Sequence, residues 1–183
     1  TQTAGLAFGG GAPNTTSTEE YDGSTWSAGG NMGTARRNIG GCGTQTAGLA
    51  FGGYISDNTN ITEAYNGTSW TSGGNLGTAR RNMGSLGTQT AGLAFGGIIT
   101  GDTAATELYN GSSWTAGGNL NTARRGVRGA GTSTVGLAFG GYNGAYTGAT
   151  ELYNGTSWTS STSMATARSG TGYAGSQTAG LAF

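Results

Sequence analysis

The chain has 183 residues, of which forty are glycine, one is proline and 34% are hydrophobic, so its core must come from a few regularly placed side chains. Eight arginines balance eight acids, and neither lysine nor histidine occurs. That leaves no electrostatic footprint for nucleic acid or an anionic membrane, and it removes imidazole and amine chemistry. No apolar run approaches the roughly 20 residues of a membrane span, so neither nucleic acid nor membrane is an expected partner.

Gly-Leu-Ala-Phe begins at Gly5, Gly48, Gly92, Gly136 and Gly180, in steps of 43, 44, 44 and 44 residues. A tryptophan closes each unit at Trp26, Trp70, Trp114 and Trp158. Periods of this size mark repeat architectures, in which one unit cannot bury its apolar face without its neighbours. Residues 1–183 read as one domain, with units at about 1–36, 37–80, 81–124, 125–168 and a partial 169–183.

The chain enters the repeat at its second run, around Gly5–Phe8, and the complete unit is best read from Arg81 onward. Arg81-Asn-Met-Gly-Ser-Leu-Gly87 is a short glycine-laced run, followed after a Thr88-Gln89 turn by Thr90–Phe95 and the doublet Gly96-Gly97. A polar loop from Ile98 to Ala105 leads to Thr106-Glu-Leu-Tyr109. Asn110-Gly111 then signals a hairpin whose central residues both need positive φ. The fourth run starts at Trp114. Four runs per unit, turn chemistry between them and no 3.6-residue periodicity predict an all-β chain of four-stranded antiparallel meanders. Each unit is expected to bury its tryptophan and the phenylalanine of its second run.

The Gly-Gly doublets (Gly9-Gly10, Gly52-Gly53, Gly96-Gly97, Gly140-Gly141), Tyr21, Tyr65, Tyr109 and Tyr153, the four tryptophans and the recurrent Thr-Ala-Arg at Thr34, Thr78, Thr122 and Thr166 together resemble the kelch repeat. The period is shorter than the roughly 50 residues of that family. The resemblance implies a β-propeller with one unit per blade, the first strand of each lining a central channel. It also implies closure by completing one blade from both chain ends. Strand counting gives seventeen, about four blade equivalents plus one surplus strand. Residues 1–8 and 176–183 differ only at Thr1 and Ser176, so two copies of one strand compete for one place. The surplus predicts a homo-oligomer, most simply a strand-exchanged dimer.

Glu19, Glu63, Glu107 and Glu151 recur once per unit, as do Arg36, Arg80, Arg124 and Arg168. Recurrence in every unit points to structural pairs between neighbours rather than to an ion or sugar site. The loops after the Gly-Gly doublets differ instead, and they share a face with the Thr-Ala-Arg segments. Varied loops on a repeated scaffold are how repeat proteins present a binding surface. The candidate contact residues there are Tyr54, Ile55, Asp57, Ile98, Ile99, Asp102, Tyr142 and Tyr146, with the tyrosines suited by their large amphipathic rings. Asp57-Asn-Thr-Asn60 is oxygen-rich but lacks the closing glutamate of a calcium loop, so no metal is expected.

No catalytic residues, cofactor or enzyme activity are expected: the usual bases are missing and the recurrent acids look structural. The copper-dependent branch of the kelch family relies on histidine ligands, and the chain has none. The leading expectation is a recognition or scaffold module whose varied face binds a glycan or protein. Near-identical repeats of this composition are similar to those of environmental viral and bacterial surface proteins, which implies an extracellular or virion-surface setting. The alternative is a repeat array, designed or excised from a longer one, whose role is its own assembly.

Overall fold

The computed structural model describes residues 3–183; Thr1 and Gln2, the first residues of the duplicated segment, lie outside the described residues. Seventeen strands form five antiparallel sheets, and no helix occurs among the described residues. The first sheet holds β1 (Gly5–Phe8), β2 (Thr18–Tyr21) and β3 (Trp26–Ala28). Three complete meanders follow. They are β4 (Gly40–Thr44) to β7 (Trp70–Ser72) through β5 (Ala47–Phe51) and β6 (Thr62–Tyr65); β8 (Gly84–Thr88) to β11 (Trp114–Ala116) through β9 (Ala91–Phe95) and β10 (Thr106–Tyr109); and β12 (Arg128–Thr132) to β15 (Trp158–Ser161) through β13 (Val135–Phe139) and β14 (Thr150–Tyr153). The last sheet has only β16 (Tyr173–Gly175) and β17 (Gly180–Ala182). These are propeller blades, with the seventeenth strand surplus to whole blades.

The first strands of successive sheets pack side by side in the order β4, β8, β12, β16, around a central cavity of about 650 Å³ that β1 also lines. Glycine lets them crowd. Gly84 lies opposite Phe95, and a methyl added to it would overlap the Phe95 ring. The inner hairpins turn at Gly43, Gly87, Gly131 and Gly175, all with φ above 100°.

Blades are joined by an apolar layer. Leu49, Phe51, Leu76, Met83, Ala94 and Tyr109 are buried between the second and third sheets, and Leu93, Phe95, Leu120, Val127, Tyr153 and Trp158 between the third and fourth. Three of the four tryptophans reach back to the preceding blade. Trp70 packs on Phe8, Trp114 on Phe51 and Trp158 on Phe95, with centroids 4.7–5.0 Å apart. Their indole N–H groups donate to the hydroxyls of Thr18, Thr62 and Thr106 at 2.9–3.1 Å.

Two expectations need correction. Tryptophan and phenylalanine are not buried in every unit. Of the tryptophans only Trp158 is buried, Trp70 and Trp114 are half-buried and Trp26 is 54% exposed. Phe51, Phe95 and Phe139 are buried, Phe8 is half-buried and Phe183 is 68% exposed, the two most exposed rings being those without a neighbouring sheet packed on them. The outer hairpin is not a two-residue turn with two positive φ values. Tyr109 pairs with Trp114 across four residues, and only Gly111 has positive φ, at 94°. The Asn110 side chain instead accepts the N–H groups of Ser112 and Ser113 at 3.0 and 2.9 Å, an Asx turn that replaces backbone strain with a side-chain cap.

Candidate functional site

Six of the eight recurrent charges form buried ion pairs between adjacent units; Glu19 and Arg168 do not. Arg36 meets Glu63 at 3.0 Å, Arg80 meets Glu107 at 3.1 Å and Arg124 meets Glu151 at 2.7 Å, with the arginine side chains fully buried. Each pair is extended into the backbone. Arg36 Nη1 donates to the carbonyls of Gly52 and Ile61, and the second glutamate oxygen accepts the N–H of Gly33, Gly77 or Asn121 at 2.6–2.7 Å. Burial pulls the arginine pKa values below their ordinary range, and the facing glutamate opposes that pull. A carboxylate held by a guanidinium and a backbone amide is not available as a catalytic base. These residues are blade-to-blade fastenings.

Chemistry facing solvent is concentrated on the varied loops. Isolated bridges pair Arg37 with Tyr54, Arg81 with Ile98 and Arg125 with Tyr142, placing the loops and the Thr-Ala-Arg segments on one face. Each loop closes on itself, through Thr59 N–H to the Gly53 carbonyl, Thr103 N–H to Gly97 and Thr147 N–H to Gly141, all at 3.0 Å. The first two loops also hold the next. Asn14 Nδ2 donates to the carbonyls of Tyr54 and Ile55 at 3.2 and 3.0 Å, and Asn58 Nδ2 to those of Ile98 and Ile99 at 3.2 and 2.6 Å. The loop face is therefore pre-formed.

The sequence-derived candidates divide on this face. Tyr54 is half-buried, its ring sandwiched between the Arg37 and Arg81 guanidinium groups, each 4.8 Å from the centroid. Asp102 is half-buried and paired with Arg125 at 2.8 Å. Ile98 and Ile99 are half-buried in the loop-to-loop contacts, whereas Ile55 and Asp57 are exposed. The Asp57 carboxylate caps the N–H of Asn58. Tyr142 lies under Arg125, 4.3 Å from its ring centroid, and meets Tyr146 edge-on at 5.6 Å. Tyr146 is 67% exposed.

Arg37, Arg81 and Arg125 belong to this face but were not singled out from the sequence. Their signal was the Arg-Arg doublet at 36–37, 80–81 and 124–125, which becomes Arg168-Ser169 in the last unit. Arg37 binds Asn14, Arg81 binds Asn58 and Arg125 binds Asp102. The fourth counterpart of this pairing would be Ser169 with Tyr146, which cannot form it. Symmetry on the face thus breaks at Tyr142 and Tyr146.

Cys42 is on the inner strand β4 beside the central cavity, and burial pushes its thiol up to about 12, so it carries no thiolate at neutral pH. Among the described residues no cluster of three or more Cys, Asp and Glu side chains converges as metal ligands. The geometry defines a class: a repeat protein of propeller blades with one pre-formed, asymmetric loop face. No protein-family model and no curated protein sequence matches the chain.

Proposed function

We propose that the chain is a non-catalytic recognition module, a kelch-like propeller whose loop face binds a glycan or protein on an extracellular or virion surface. The observation that carries this reading is a pair of tyrosine–arginine stacks on the loop face, Arg37 and Arg81 on Tyr54, and Arg125 on Tyr142 beside Tyr146. Aromatic faces and planar guanidinium groups offer flat apolar surface with fixed hydrogen-bond donors at its edge. Because the loops are already bonded to themselves and to each other, a ligand loses little affinity to loop ordering. The exposed ring of Tyr146 beside Tyr142 is the part of that surface free of structural duty. Absence of catalysis is supported by the lack of histidine and lysine and by the engagement of Glu63, Glu107 and Glu151 in ion pairs.

A glycan array read alongside a panel of surface proteins tests the proposal. Selective signals that are lost in Tyr142→Ala and Tyr146→Ala, with the melting temperature unchanged, are the expected result. No selective signal on either panel would favour the second reading, a purely structural array. That reading draws on the near-identical ion pairs and tryptophan contacts that commit most of the recurrent side chains of each unit to the next blade.

A further inference from the structure

The two ends of the blade series are complementary halves of one contact. Three times the chain places an arginine against the glutamate 27 residues later, and twice more half of that contact exists alone. Arg168 has no acid and Glu19 no base among the described residues, and Glu19 is exposed whereas Glu63, Glu107 and Glu151 are buried. The tryptophan contact is split the same way. Trp26 stacks on its own Tyr21 but has no phenylalanine of a preceding blade, while Phe139 and Thr150 line a cavity of about 360 Å³ that also holds Arg168 and Ala165. In the internal contacts, the space beside Phe95 and Thr106 is filled by Trp158, and Asn121 N–H, the counterpart of Ala165, donates to Glu151. A backbone series around the axis, Asn82 to Asn38, Gly126 to Asn82 and Gly170 to Gly126, likewise starts and stops at these two ends.

We propose that a second copy of this chain fills both ends, head to tail, so that two copies close one ring of eight blades. The second and third strands of the first sheet bring Glu19 and Trp26 of one copy into the 360 Å³ cavity of the other, where Glu19 binds Arg168 and Trp26 covers Phe139 and donates to Thr150. The missing first strand of the opening sheet is β16 of the other copy, paired to the open edge of β1. In that exchange β17 is the copy displaced: it pairs with β16 over three residues with Leu181 60% exposed, whereas Phe8 of β1 is seated on Trp70. Self-closure of one chain would bury Glu19 and Trp26, and both are open to solvent. Eight blades lie within the usual four to eight, and three copies would exceed it. A heterologous contact closes only when its rotation completes the circle.

Charge reversal tests this with folded proteins, since neither side chain is part of the core. Light scattering of the parent should give near twice the 18.0 kDa chain mass. Glu19→Arg and Arg168→Glu should each fall to the single-chain mass, with circular dichroism unchanged. Mixed in equal amounts, the two variants set the introduced arginine against the introduced glutamate at one junction and the native Glu19 against the native Arg168 at the other. The mixture should return to the two-chain mass, with a blue shift of tryptophan emission as Trp26 is covered. A parent at the single-chain mass or at another multiple, single variants that keep the parent mass, or a folded mixture that stays monomeric would each overturn the proposal.

Discussion

Arg80 shows what a fully buried charge requires in this chain. Its guanidinium meets Glu107 at 3.1 Å and donates to the Ala105 carbonyl at 2.8 Å, with no access to water. Removing one partner of such a pair strands the other charge in low dielectric. Arg80→Ala should therefore cost about 3–5 kcal/mol in urea unfolding, whereas Arg168→Ala, measured on single-chain protein, should cost less than about 1 kcal/mol as a half-exposed cation without an acid. Equal losses at the two positions would show that the buried pair is not what fastens the blades. Asp22 is a second residue-level case: where the other units have Asn66, Asn110 and Asn154, this carboxylate caps the N–H groups of Ser24 and Thr25. Thr25 and Ser24 hold it well below the usual carboxylate range. A depressed folded pKa gives stability that is present above the unfolded value of about 3.9 and lost as pH falls through the folded one. Asp22→Asn keeps the acceptor, so it should leave the neutral-pH melting temperature alone and flatten the acid limb of the stability curve below about pH 4. That glutamates and arginines pair was legible from their recurrence. Which unit each glutamate serves was not, because the answer lies in how blades stack and not in how one strand reads.

At the scale of the strand and its turn, recurrence of residue types gave the elements closely, because each strand is bounded by glycine or an Asx turn. The inner strand β8 begins at Gly84, three residues into the expected run from Arg81. What the pattern could not separate was a two-residue hairpin from a four-residue loop, since Asn-Gly opens both and the outcome depends on the side-chain cap of Asn110. The exposure of Trp26 was equally hidden: its local sequence matches that of Trp114, and only the missing blade in front of it differs. This difference makes a paired prediction. Trp114 packs on Phe51 and Tyr109 and donates to Thr62, so Trp114→Ala should cost about 3–5 kcal/mol. Trp26→Ala, in single-chain protein, should cost less than about 1.5 kcal/mol because its ring contacts only its own blade. Gly84→Ala should also destabilise, by about 1–3 kcal/mol, since its methyl would overlap the Phe95 ring. Thermal melts of the three variants rank them; a Trp114→Ala protein as stable as Trp26→Ala would mean that inter-blade stacking contributes little.

For the whole molecule, seventeen strands were countable in advance, but the pairing at the ends was decided by packing. The structure seats β1 beside β2 in the first sheet and leaves the identical Gly-Leu-Ala segment as β17 beside β16. A ring of two copies has one place for a second strand at each junction and two strands able to take it. If β1 is absent, β17 of the other copy already stands next to β16 and can pair with β2. If β17 is absent, β1 accepts β16 directly. Deleting residues 1–8 or residues 176–183 should therefore leave the two-chain mass intact, with a modest drop in melting temperature. Deleting both should abolish assembly, because the junction blade would lack its second strand and leave the backbone groups of β2 and β16 unpaired. Light scattering and melting curves on the three truncations check this. Loss of the two-chain species in either single truncation would mean that the two copies are not interchangeable and that the junction is built some other way.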